Sequence, residues 1–153
     1  MAAVPVLSFD EAIEAMKKNR EQVPTAINAF YSSAYAASPI LCCLWHVSVM
    51  QCLCRLGGIV TDPNAMQVPF DDKGIHQGHS IFDTCNIASG KIYALDFHLE
   101  RFARSIKLAQ ISSAPPISEI KSIIMQPCAA AVLAAGDDTA GSVRFWMSMG
   151  QGN

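Results

Sequence analysis

Apolar positions recur at two different periods along this chain, and the switch between them marks its elements. After an extended Val4-Pro5-Val6-Leu7, the residues Ala12, Ile13, Ala15 and Met16 keep a helical period to about Asn19. Ser8 followed by Glu11 is the capping-box pair that starts such a helix. Ala29-Phe30-Tyr31 predicts the start of a strand. Gly57-Gly58 changes the texture: Ile59-Val60-Thr61 runs into an Asp62-Pro63-Asn64 turn, Met66 to Phe70 predicts a short strand, and Asp71-Asp72-Lys73-Gly74 a turn. Ser80 to Ala88 suits a strand, although Ile81, Thr84 and Asn86 do not fall on one face cleanly. Ser89-Gly90 is a hairpin signal with Ile92 to Leu95 returning. Asp96 is then the expected cap of a helix whose Leu99, Phe102, Ile106 and Ala109 form one apolar face, opposite Glu100, Arg104 and Lys107. Pro115-Pro116 breaks it. A second helix is predicted from about Ser118 to Ala135, with Pro127 as an internal kink, and Val143 to Met149 as a final strand. Short strands, then helices, then a strand predict an α+β fold: a small domain with a mostly antiparallel sheet and two or three helices.

Composition narrows the function classes. The 153 residues are 51% hydrophobic and only 16% charged, which speaks against disorder. A formal net charge of −2 offers no footprint for nucleic acid. The distribution of charge is more informative. Gln22 to Cys54 contains no Asp, Glu, Lys or Arg, and Ala34 to Cys54 is its apolar part. Pro39, His46, Ser48 and Gln51 make that part a poor bilayer span, so a membrane role is the less favoured reading. The lack of a recognisable leader favours the cytosol, with an organelle as the alternative.

Four of the six cysteines, Cys42, Cys43, Cys52 and Cys54, flank His46 in this stretch. Adjacent and one-apart pairs do not match the Cys-x2-4-Cys knuckle of structural zinc, so buried or unselected thiols are the plainer reading. His76, His79 and His98, with Asp71, Asp72 and Asp83 nearby, raise a second metal possibility. Turn histidines bonded to backbone or solvent explain them more simply. No metal site and no catalytic residue is assigned.

The stretch Val68 to Ile111 carries a more specific pattern. It runs Asp72-Lys73-Gly74, then Gly78-His79-Ser80-Ile81-Phe82-Asp83, Gly90, and Leu95-Asp96-Phe97-His98-Leu99-Glu100-Arg101 before Ser105 and Leu108. This resembles the N-terminal domain of the fold-type IV pyridoxal-phosphate enzymes, the class IV aminotransferases. That family includes D-amino acid aminotransferases, branched-chain aminotransferases and aminodeoxychorismate lyases. Val143-Arg144-Phe145-Trp146 through Gly150 resembles its next strand, and the opening Val4-Pro5-Val6-Leu7 with Tyr31-Ser32-Ser33 is similar to a plant and algal branch.

The resemblance implies pyridoxal 5'-phosphate as cofactor, with Arg101 binding its phosphate, His98 in support and Phe82 on the wall of the substrate pocket. A guanidinium suits a phosphate in both charge and geometry. It also implies amino acid and keto acid substrates and a homodimer when complete. Some positions depart from the pattern. Lys73 replaces a frequent arginine, and His79 stands where many members carry Asp or Thr. Met149 stands where bacterial D-amino acid aminotransferases carry an arginine for the substrate carboxylate.

The cofactor-bonding lysine of the family lies in a second domain, and none of Lys17, Lys18, Lys73, Lys91, Lys107 and Lys121 matches it. Residues 1–33 are therefore expected to form a helix and strand, 34–55 an apolar Cys-rich insert, and 56–153 the small domain without its partner domain. That insert reads as a lineage-specific insertion or as translated non-coding sequence. The leading expectation is the small domain of a transaminase, inactive as this chain. The alternatives are a lyase-type elimination in the complete protein, or a non-catalytic membrane or interaction protein that uses 34–54.

Overall fold

The computed structural model describes residues 6–19, 26–32, 49–53, 58–60, 68, 70–135 and 141–150. Among these residues seven strands, β1 Val6–Leu7, β2 Ala26–Ser32, β3 Val49–Leu53, β4 Gly58–Val60, β5 Ser80–Ala88, β6 Lys91–Ile92 and β7 Gly141–Ser148, form one sheet in the order β1-β4-β3-β2-β7-β5-β6. Only β1 and β4 run parallel; every other neighbouring pair is antiparallel. The helices are α1 Phe9–Asn19, the four-residue α2 Lys73–His76, α3 Leu95–Leu108 and α4 Ile117–Ala135. The α+β class and the mostly antiparallel sheet are as the pattern predicts.

Local chemistry explains most boundaries. The Ser8 N–H and hydroxyl both donate to Glu11 Oε2, at 2.8 and 2.7 Å, closing the box that opens α1. The bond to the Ser8 backbone, then that to its hydroxyl, holds the Glu11 carboxyl below its ordinary range. The helix α3 departs from expectation. Its N-cap is Ala94, with φ 52°, and no side chain caps it. Asp96 sits inside the first turn, where a negative charge suits the helix dipole, and Lys121 Nζ of α4 reaches its Oδ1 at 2.7 Å. The return strand is correspondingly short, because the chain turns into α3 directly after β6.

Asp71 to Gly74 is less a turn than a helix start. Asp72 caps α2 by accepting the Gly74 N–H at 2.8 Å. Pro127 does lie inside α4, and it is fully buried.

Along β5 the alternation is regular. Asp83, Cys85 and Ile87 are buried with Ile81 half-buried on the same face, while Phe82 and Asn86 lie opposite. The sequence looks irregular only because a carboxylate occupies an apolar slot. On that face Val143, Phe145 and Met147 of β7 meet Leu99 and Phe102 of α3 and Ile120, Ile124 and Cys128 of α4. Phe102 and Phe145 pack edge to face with ring centres 5.0 Å apart, so α3 is pinned to the sheet by its own apolar stripe. Burial pushes the thiols of Cys85 and Cys128 up to about 12, which keeps both as inert core groups.

The expected strand at Met66 to Phe70, and Cys42, Cys43, Cys54 and His46, lie outside the described residues except for Val68 and Phe70. Among the described residues no helix is long and apolar enough to cross a membrane.

Candidate functional site

The pinning of α3 fixes what its neighbouring face presents. His98 and Arg101 are three residues apart, so they share one side of the helix, beside β5. The residue they meet there is Asp83, whose side chain is only 5% exposed. Arg101 Nε donates to Asp83 Oδ2 at 2.9 Å and its Nη2 donates to Oδ1, a two-pronged pair. The Thr84 N–H adds a third donor, at 2.7 Å from Oδ1.

His98 Nδ1 stands 3.1 Å from both Asp83 Oδ1 and Arg101 Nη2. One ring nitrogen cannot donate to a carboxylate and accept from a guanidinium at once. The carboxylate can only accept and the guanidinium can only donate, so a bond to Asp83 requires Nδ1–H, and Arg101 Nη2 is then a close neighbour of that nitrogen and not its partner. Burial raises the Asp83 pKa, but the bonds from Arg101, the Thr84 N–H and His98 outweigh it, and the carboxyl titrates below its ordinary range. Asp83 in turn holds the Arg101 pKa above its ordinary value.

The other edge of Arg101 is different. Its side chain is 62% exposed, and among the described residues Nη1 has no hydrogen-bond partner. Arg101 lines an open cavity of about 330 Å³ with Phe82, Asp83, Thr84 and Ser105. Phe82 is 69% exposed and lies under Arg144, whose guanidinium carbon is 5.4 Å from the ring centre. Arg144 pairs across the ladder with Thr84, and its Nε donates to Thr84 Oγ1 at 3.3 Å. The Ser105 hydroxyl donates back to the Arg101 carbonyl at 3.1 Å.

Of the residues singled out in the sequence, Arg101 and Phe82 line the same cavity, and His98 touches the Asp83 that grips Arg101. The histidines do not converge: His79 Nε2 bonds the Ala109 carbonyl at 2.9 Å, and His76 packs against Phe70. Among the described residues no three potential ligands gather to hold a metal. Asp83 and Asp72, considered above as metal ligands, are engaged instead by Arg101 and by the Gly74 N–H and Ser148 hydroxyl. Asp83, Thr84, Ser105 and Arg144 were not singled out for this site. The one available signal was a carboxylate in an apolar strand position facing a His-x-x-Arg helix.

The donor set fits the phosphate end of the implied cofactor: a permanently charged guanidinium, held on one edge and open on the other, on a solvent-accessible cavity. None of Lys73, Lys91, Lys107 and Lys121 lines that cavity.

Residues 80–153 match the family model of amino-transferase class IV. The chain is 43% identical over 96 residues to the D-amino-acid transaminase, chloroplastic, of Arabidopsis thaliana, a match that covers 63% of this chain and 24% of that protein. This chain thus spans about a quarter of the length of the curated relative it matches. A fold IV-transaminase from Curtobacterium pusillum aligns in structure at a TM-score of 0.49 and 20% identity, over 82% of this chain and 43% of that one. On the family match and the Arabidopsis relative, residues 80–153 of this chain resemble a class IV aminotransferase segment.

Proposed function

We propose that this chain supplies the phosphate-holding side of a pyridoxal-phosphate site used in amino acid transamination. The observation that carries the reading is Arg101, fixed by buried Asp83 on one edge and without a hydrogen-bond partner at Nη1, on a cavity that Phe82 also lines. The residues have separable tasks. Arg101 binds the phosphate, Asp83 and His98 hold Arg101, and Phe82 offers an apolar wall to the substrate. When bound, the cofactor supplies the electron sink for proton loss at the carbon bearing the amine. The substrates are an amino acid and a keto acid, and the working assembly is a homodimer. A lyase-type elimination uses the same phosphate site and is the alternative chemistry. Residues 1–153 alone are expected not to turn over, because none of their lysines matches the cofactor-bonding lysine of the family. The cytosol is the proposed compartment, with the plastid as the alternative suggested by the name of the Arabidopsis relative.

The test is equilibrium binding of pyridoxal 5'-phosphate and of pyridoxal to the 153-residue chain and to Arg101→Gln. The expected result is a preference for the phosphorylated form that Arg101→Gln abolishes. Equal affinity for both forms in the unsubstituted chain contradicts the reading. Borohydride reduction that fixes the cofactor on one particular lysine contradicts the inactivity of residues 1–153.

A further inference from the structure

We propose that Asp83 is a positioning residue for the anion site, and that its negative charge raises rather than lowers affinity for a phosphate there. The inference rests on the reading of Arg101 as the phosphate ligand. Electrostatics alone gives the opposite expectation, since a carboxylate beside an anion site repels the anion.

The geometry argues otherwise. An unrestrained arginine on a helix surface samples many rotamers, and fixing it on a ligand costs rotamer entropy. Asp83 removes that freedom in advance. Its two oxygens take Arg101 Nε and Nη2, which sets the guanidinium plane and leaves Nη1 as the edge without a partner among the described residues. Asp83 is itself immobile: it is buried, its Oδ1 accepts the Thr84 N–H at 2.7 Å, and its backbone lies in the β5–β7 ladder opposite Phe145. His98 makes a further contact, at 3.1 Å from Oδ1. The two charges compensate each other, so the site discriminates by directed hydrogen bonds more than by net charge. Arg104, exposed on the same helix and without such a partner among the described residues, shows what Arg101 would be without Asp83.

The test is calorimetric titration of inorganic phosphate into the 153-residue chain, Arg101→Gln and Asp83→Asn, at one ionic strength. Asp83→Asn keeps the shape and removes the charge. The expected result is phosphate binding that Arg101→Gln abolishes and Asp83→Asn weakens about tenfold, although a negative charge has been deleted. Equal or tighter binding by Asp83→Asn overturns the inference while leaving Arg101 as the ligand. No binding by the unsubstituted chain, or unchanged binding in Arg101→Gln, overturns the phosphate reading itself. Should Asp83→Asn not fold, the unsubstituted chain decides. The Nε–H of Arg101 must then exchange with water at least about tenfold more slowly than that of Arg104, and equal rates overturn the inference.

Discussion

Two buried aspartates near β5 do different work. Asp72 is 2% exposed and, among the described residues, accepts only neutral donors, the Gly74 N–H and the Ser148 hydroxyl, each at 2.8 Å. The Ser148 hydroxyl also accepts the Gly150 N–H at 3.2 Å, and the Lys73 N–H bonds the Gly150 carbonyl at 2.9 Å. This carboxyl clips the start of α2 to the end of β7, and all of its partners are structural. Asp83 is buried to nearly the same degree, but its main partner is a cation whose far edge reaches solvent. Burial alone therefore does not mark a functional carboxylate. What distinguishes the two is whether the partner has anything left to offer a ligand.

The largest expected effect comes from loosening α3 from the sheet. Phe102→Ala deletes a fully buried ring against Phe145 and is expected to destabilise the chain by about 3–5 kcal/mol in chemical denaturation. Because Phe102 pins α3, phosphate binding falls with it. Asp72→Ala sharpens the contrast. It strands two donors and costs about 2–4 kcal/mol, yet phosphate affinity measured under folded conditions stays unchanged. Gly74→Ala belongs to the same clip. A Cβ there comes within 2.9 Å of Asp72 Oδ1 and 3.1 Å of Ser148 Cβ, and a loss of about 1–3 kcal/mol is expected.

Asp83→Asn reverses the pattern, with a small stability change and a clear loss of binding. Its pH signature is specific. The Asp83 carboxyl titrates lower folded than unfolded, so its stabilisation is fully present above the unfolded value of about 3.9 and disappears as pH falls through the lower folded value. The stability difference between the unsubstituted chain and Asp83→Asn is expected to shrink below about pH 4. A difference that persists unchanged at lower pH breaks the comparison.

The three longer helices, strand β5 and the turn that follows it were legible in the sequence because their signals are local. The Ser8/Glu11 box, the Leu99/Phe102/Ile106 stripe and the Ser89-Gly90 turn each act within a few residues. The start of α3 was misplaced because Ala94 caps it with backbone alone, in a left-handed conformation that an alanine does not advertise. Arg101, His98 and Phe82 were singled out through a family resemblance. The pairing of Asp83 with Arg101 and His98 was not, because these partners lie 18 and 15 residues away and only the packing of α3 on β5 brings them together. Read locally, Asp83 was an acidic residue near histidines, named only as a possible carboxylate in a metal reading that turn histidines explained more simply.

The most direct test of the phosphate reading follows the arginine side chains themselves. Nitrogen-15 spectra of the guanidinium groups are recorded while inorganic phosphate is added to the 153-residue chain. The account predicts that the Arg101 resonances shift saturably while those of Arg104, on the same helix, do not. Arginine signals that all drift together, in proportion to added salt, would contradict it.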